Sequence, residues 1–248
     1  MTLSSKGHAM RDEIIRLQKK LKINKALLDI YPTLTYENNE QIVHDLLQAL
    51  EASRSSTAKR KRMKAANFPL IKTVENYDFK AIQIPETITI DGLKDVRFLE
   101  NKENLIFYGN VGTGKTHLAI ALGVLAVQKG KSVQYFTLHE LINKLVQAKN
   151  EGKYQGFMKR IMKNDLLILD EWGYLPLHHE GARLIYEVIS RFYEQKSLIL
   201  TTNLEFSHWK NFLFDEKLTV AILDRIIHHS HLLIFNGSSY RKEHSLMN

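Results

Sequence analysis

Gly109-Asn110-Val111-Gly112-Thr113-Gly114-Lys115-Thr116 matches G-x-x-x-x-G-K-[ST], and its flanks match with it. Leu105, Ile106, Phe107 and Tyr108 lead in as a short apolar run, and His117 to Gln128 leads out with a helical pattern. Only a strand–loop–helix setting turns successive backbone N–H groups onto one phosphate chain, with the positive end of the helix behind them. Glycines let such a loop curl without a Cβ in the way. Lys115 is placed for the β- and γ-phosphates, and the Thr116 hydroxyl for Mg2+. Gly109 through Thr116, with His117 behind them, are the expected contacts of ATP or GTP.

The chemistry after binding is expected downstream. Leu166-Leu167-Ile168-Leu169-Asp170-Glu171 is an apolar strand ending in two carboxylates. Asp170 sits where a carboxylate can share the Mg2+ shell with Thr116, and Glu171 can polarise an attacking water. A further strand, Ser197-Leu198-Ile199-Leu200-Thr201, ends in Thr202-Asn203. In additional-strand P-loop ATPases such a strand lies between the loop strand and the acidic strand, which would aim Asn203 at the γ-phosphate. An ordinary turn also explains a Thr-Asn pair.

Two arginines follow. Arg225 interrupts the apolar helix Ala221 to Ile227, and Arg241 lies in Ser238-Ser239-Tyr240-Arg241. Either can serve as an arginine finger, which stabilises charge on a transferring phosphoryl group and can come from a neighbouring subunit. The plainer readings are a surface ion pair for Arg225 and a solvated tail for Arg241.

Charge is uneven along the chain. Residues 1–64 hold 13 Lys/Arg against 7 Asp/Glu, so they carry most of the +8 total. The excess concentrates in Lys59, Arg60, Lys61, Arg62 and Lys64, a run suited to phosphate backbones without sequence readout, or to a solvated helix face. Ile14, Ile15, Leu17, Leu21, Leu27 and Leu28 give one apolar helical stripe, which Tyr31-Pro32 breaks. A second helix from about Asn39 carries Ile42, Val43, Leu46, Leu47 and Leu50 toward the basic run. Phe68-Pro69 marks a boundary, giving a helical domain over 1–66 and a nucleotide domain over 67–248. So small a bundle leaves a surplus apolar face for the nucleotide domain or another subunit.

From Phe68 onward strands and helices alternate, which predicts a parallel sheet covered on both faces. The expected strands are 104–108, 132–137, 166–170, 197–201 and 231–236. The expected helices are 115–128, 138–149, 154–163, 180–196 and 217–229. Thr73 to Phe79 precedes this core, with Tyr77 and Phe79 either over a nucleotide base or in core packing. The chain has no cysteine, so disulfides and thiolate zinc sites are excluded. No apolar run approaches the roughly 20 residues that span a bilayer, and Met1 to Arg11 is polar with no apolar signal segment. A cytoplasmic protein is expected. His178-His179 and His228-His229-His231 lack the i, i+4 pair plus acid of a zinc protease, and read as surface or interface imidazoles.

The set of motifs, in this order, resembles an AAA+ ATPase of the initiator and helicase-loader branch. Lys115 to Gly123, Asp170 to Leu177 with its Gly-Tyr-Leu-Pro turn, Ile189 to Glu194, and Ala66 to Thr73 are similar to the IstB-like family, ATP-binding helpers of insertion-sequence transposases. The likeness covers essentially the whole chain, with Trp172 standing where the family usually has a smaller aliphatic residue. It implies a three-layer α/β/α P-loop core with a five-stranded parallel sheet behind a small helical domain, and it favours the DNA role of the basic run. It further implies ATP and Mg2+ as cofactors and head-to-tail self-assembly. The implied partners are double-stranded DNA and a cognate transposase. A DnaC-like replicative helicase loader is the alternative, and a scaffold that binds ATP without turnover is disfavoured by Glu171 and Arg225.

Overall fold

The computed structural model describes residues 3–35, 39–75, 77–213 and 215–243. Met1 and Thr2, which open the polar N-terminal stretch, and Asn76, within the aromatic segment before the core, lie outside the described residues. The chain opens with α1 (Leu3–Lys20), α2 (Leu27–Ile30), a 3-10 turn (Tyr31–Thr33) and α3 (Asn39–Ala66). Next come β1 (Ile82–Gln83), α4 (Ile90–Lys94), β2 (Asn104–Gly109), α5 (Lys115–Gln128), β3 (Val133–Thr137), α6 (Leu138–Asn150) and α7 (Tyr154–Ile161). They lead to β4 (Leu166–Trp172), α8 (His179–Phe192), β5 (Ser197–Thr202), α9 (Trp209–Leu213), α10 (Glu216–His228), β6 (Ser230–Phe235) and α11 (Tyr240–Glu243). Among the described residues, no helix is long and apolar enough to cross a membrane.

The strands form one sheet in the order β1-β6-β2-β5-β4-β3. Five are parallel, as the alternating pattern predicts, and β5 lies between the loop strand β2 and the acidic strand β4. The sixth is a correction to the expected five. β1 pairs antiparallel with the end of β6, Ile82 opposite Phe235. Two residues carry no readable period, so only the pairing reveals this strand.

Period two sorts the core into layers. Leu105, Phe107, Leu166, Ile168 and Ile199 pack with α4 and α5, through Leu93, Leu118 and Leu122. The intervening Ile106, Leu167, Leu169, Leu198 and Leu200 pack with α6 to α10, through Leu141, Met158, Ile185, Trp209 and Ile222. Near-continuous apolar strands are what a sheet buried on both faces requires. Trp172 is fully buried, 5.1 Å from Trp209 and 5.7 Å from Phe212 between ring centroids.

Local chemistry sets the element ends. Thr137 and Glu140 make a reciprocal capping box that starts α6. Helix α8 stops at Phe192, short of the expected 196, because Tyr193 turns extended and Glu194 is left-handed at φ 55°. The histidines also divide more finely than expected. His178 caps α8 by accepting from Gly181 N, and His231 is buried between Thr87 and Glu103.

Compactness separates Met1–Lys61 from Arg62–Asn248. Within the first unit the apolar stripes are incompletely covered: Leu17, Leu21, Val43 and Leu47 stay exposed. Within the second, Ala66 and Met63 at the end of α3 pack into the layer that holds α5.

Leu167 and Ile168 are neighbours on opposite faces, both fully buried. Leu167→Ala and Ile168→Ala should therefore each cost about 2–5 kcal/mol in urea unfolding. A sheet covered on one face only would register one of the two losses.

Candidate functional site

The phosphate loop joins the end of β2 to the start of α5. Gly112 and Gly114 take φ 87° and 95°, which a side chain would strain. A Cβ on Gly112 would collide with Ser239, and one on Gly114 would lie 2.6 Å from the Tyr77 hydroxyl. That hydroxyl donates to Gly114 O at 3.2 Å, and the Tyr77 ring stands 5.2 Å from His117. Tyr77 and Phe79 thus pack on the core layer, and Tyr77 also walls the loop.

Lys115 Nζ donates to Gly109 O and Asn110 O, each at 2.7 Å. Burial lowers its pKa from the usual 10.5 to about 8; Arg241 adds to the fall and Asp170 opposes it. The Thr116 hydroxyl donates to Asp170 Oδ1 at 2.9 Å. A hydroxyl and a carboxylate at this spacing are an oxygen donor set that fits a hard cation such as Mg2+. Helix α5 begins at Lys115, so its first free N–H groups face the same loop.

Asp170 is 3% exposed, and a charge so placed must be satisfied by hydrogen bonds. Besides Thr116 it receives the Tyr135 hydroxyl at 2.7 Å and the Thr201 hydroxyl. The Thr201 oxygen also accepts Glu171 N at 3.1 Å. Glu171 occupies a β-bulge, where the register slips between Leu169 and Trp172, and it is left-handed at φ 61°. Such a backbone costs about 1–3 kcal/mol and recurs at functional positions. It leaves the Glu171 side chain exposed beside the buried Asp170.

Tyr135 and Thr201 are absent from the sequence reading of the site. The available signal was weak, since β3 (VQYFT) and β5 (SLILTT) each carry more than one hydroxyl and only a buried one needs a partner. Asn203, exposed, follows Thr202, whose register partners are Tyr108 and Trp172. It therefore stands at the same sheet edge as the loop and both acids. Arg241 belongs there too: Tyr240 N donates to Gly112 O at 3.1 Å, and the Arg241 charge acts on Lys115. A cavity of about 460 Å³ is not the one at this edge; the relevant hollow, about 380 Å³, is lined by Asn110, Val111, Ser238 and Ser239.

Arg225 stands apart from this group. Helix α10 lies in the layer opposite α5, and Arg225 donates to Ala221 O at 2.8 Å while its guanidinium sits 5.2 Å over the Tyr186 ring. Lys59, Arg60, Lys61, Arg62 and Lys64 are all exposed on α3. They spread around the helix instead of forming one face, because a run of consecutive residues turns about 100° per step. The Gly-Tyr-Leu-Pro turn follows Glu171, with Tyr174 and Leu175 exposed.

Comparison with known proteins adds three findings. The profile of the IstB-like ATP binding protein family matches residues 20–248. An ATP-binding protein of insertion sequence IS21 from Pseudomonas aeruginosa is 42% identical over 73% of this chain and 68% of its own length. Its counterpart from insertion sequence IS5376 of Geobacillus stearothermophilus is 37% identical, over 79% of this chain and 78% of its own. Among solved structures, the DnaC helicase loader superposes with a TM-score of 0.53 at 25% identity, covering 71% of this chain and 98% of that one.

The low pKa of Lys115 has a stability consequence. Unfolding returns it toward 10.5, so between about pH 8 and 10.5 the unfolded chain binds more protons and stability rises with pH. Below about pH 8 the cost of burying the charge is fully present. Lys115→Met should raise unfolding free energy at about pH 7, and its advantage should shrink as pH climbs through that window. Urea unfolding of both chains at several pH values measures this, and a constant gap would reject burial as the cause.

Proposed function

This chain belongs to the IstB-like ATP-binding proteins, and on that footing we propose that it is a DNA-stimulated AAA+ ATPase that assembles on duplex DNA with ATP and recruits and activates a partner transposase. The observation that carries this reading is the Thr116–Asp170 bond beside Lys115, in a chain 42% identical to an insertion sequence's ATP-binding protein. Fold likeness to the DnaC helicase loader supports loading of a replicative helicase as the second reading. Identity to the insertion-sequence relatives is higher, which ranks it second.

In this reading Lys115 neutralises the β- and γ-phosphates while Gly109 to Thr116 wrap them and His117 supports the first turn of α5. Thr116 and Asp170 would hold Mg2+, which supplies positive charge to the phosphate oxygens. Glu171 polarises the attacking water from its exposed position on the bulge, and Asn203 orients it. Arg241 serves the phosphate loop of its own chain. Arg225, lying in the opposite layer, serves the site of the next protomer as an arginine finger. Contacts of that head-to-tail kind build rings or helical arrays. The helical part over residues 1–66 meets DNA through its basic run, which straddles the Lys61/Arg62 boundary between the two compact units, and the exposed Tyr174 and Leu175 suit a protein partner.

The reading is tested by ATP turnover with and without duplex DNA, beside capture of the transposase encoded with it and of the host replicative helicase. Stimulation by DNA with capture of the transposase is expected. Capture of the helicase alone would favour the loader reading.

Within the site, Lys115→Ala should abolish ATP binding, and Glu171→Gln should bind ATP yet stall hydrolysis. Arg225→Ala should keep nucleotide affinity and lose most turnover, since fingers are worth about 10³–10⁵ in rate. Mixing the Lys115 and Arg225 variants should restore part of the activity, because one pairs an intact loop with the other's intact finger. Co-assembly without recovery would place Arg225 outside any shared site.

Neutralising Lys59, Arg60, Lys61, Arg62 and Lys64 together should weaken DNA affinity whatever the sequence. The slope of log affinity on log salt should flatten by about 0.9 per lost phosphate contact. An unchanged slope would make the run a solvated helix and move the DNA surface elsewhere.

A further inference from the structure

Two connections meet at the sheet edge opposite the phosphate loop. One runs from α8 into β5 and brings Tyr193 and Glu194; the other runs from α10 into β6 and brings His228 and His229. Because β2, β5 and β6 are parallel, the starts of β5 and β6 lie at the far end from the loop that follows β2.

There Glu194 Oε1 lies 3.3 Å from His229 Nε2 and 3.9 Å from His228 Nδ1. The two imidazole rings stand 4.2 Å apart between centroids, roughly perpendicular. Among the described residues this is the one group of three or more His, Cys, Asp or Glu side chains whose ligand atoms all lie within 4.8 Å of one another. A tetrahedral zinc ion with arms of about 2.0–2.1 Å spaces its ligand atoms by about 3.3 Å. The Glu194–His229 separation already has that value, and the other two need only small side-chain rotations. All three side chains are about half exposed, so an ion can reach them without crossing the core.

We propose that Glu194, His228 and His229 form a binding site for a divalent transition-metal ion, zinc in the first instance, with water completing the shell. Two imidazoles and one carboxylate are a donor set of borderline softness, which suits zinc and its first-row neighbours over magnesium or calcium. Tyr193, whose hydroxyl lies 2.8 Å from His228 Nδ1, releases that nitrogen to the metal and remains beside it.

The sequence hides this site because its acid is remote: Asp224 stands four residues before His228 on the same helix, yet the carboxylate that meets both imidazoles is that of Glu194. Glu194 arrives from 34 residues upstream of His228, through the fold alone. The ion would tie the turn after α8 to the last turn of α10. Arg225 lies three residues before His228 on that helix. An occupied site would therefore fix the helix end that presents Arg225, a consequence that rests on the finger reading while the binding does not.

The test uses the full chain, freed of any affinity-tag histidines and stripped with EDTA. CoCl2 titration followed by visible absorption should show d–d bands saturating at one cobalt per chain, and ZnCl2 should displace them. His228→Ala with His229→Ala should remove the bands. Glu194→Gln should weaken cobalt binding by at least about tenfold. Should the histidine variant fail to fold by circular dichroism, the single Glu194→Gln variant decides. Absence of the bands in the parent chain, or binding unchanged in the folded variants, would overturn the site.

Discussion

The Asp170 carboxylate is the constraint on which the rest of the nucleotide edge depends. A charge that is 3% exposed costs several kcal/mol unless its lone pairs are filled. Three hydroxyls fill them, from Thr116 on α5, Tyr135 on β3 and Thr201 on β5. Each comes from a different element, so the position of one carboxylate fixes the loop helix and both neighbouring strands of β4 relative to one another. The inserted position of β5 is part of the same solution. Only a strand beside β4 can bring Thr201 to Asp170, and the sheet order places it there.

Thr201 carries a second consequence. Its oxygen donates its proton to Asp170 and accepts Glu171 N, so a single hydroxyl links the buried acid to the exposed one. Accepting that N–H rewards the bulge, which turns Glu171 left-handed and outward. Adjacent carboxylates on a regular strand would point to opposite faces, and one would enter the core. The bulge instead delivers both to one edge, one buried and hydrogen-bonded, the other open to solvent. Different environments for two neighbouring acids are how one strand can supply a metal ligand and a base.

Much of this was legible in the sequence, because the signals are local. The phosphate loop has a fixed spacing, and the five parallel strands are apolar runs bounded by polar turns, so their existence follows from residues 104 to 236, while the place of β5 between β2 and β4 was expected only from the pattern of additional-strand P-loop ATPases. What escaped reading depends on pairs distant along the chain. Thr201 and Tyr135 look like ordinary strand residues until β3, β4 and β5 lie side by side. β1 is too short to have a period, and α8 ends early at a left-handed Glu194 that no proline or glycine announces. Arg241 read equally well as a solvated tail, and only the bond from Tyr240 N to Gly112 O shows the segment packed on the loop.

The two arginines show how the fold divides a site between what one chain contains and what it leaves open. Gly112 has no side chain, and the space a Cβ would need is taken by Ser239, so the segment after β6 can lie directly on the phosphate loop. That contact brings the Arg241 charge to Lys115 within one chain. Arg225 receives no such route. Its helix packs on α8 in the other layer, and its charge is met by the Tyr186 ring and a carbonyl of its own helix, neither of which is a carboxylate. A ring face and a carbonyl hold the guanidinium in place without supplying a formal negative charge. In the function proposed above, that asymmetry is the ground for giving Arg241 to the loop of its own chain and Arg225 to the phosphates of a neighbour.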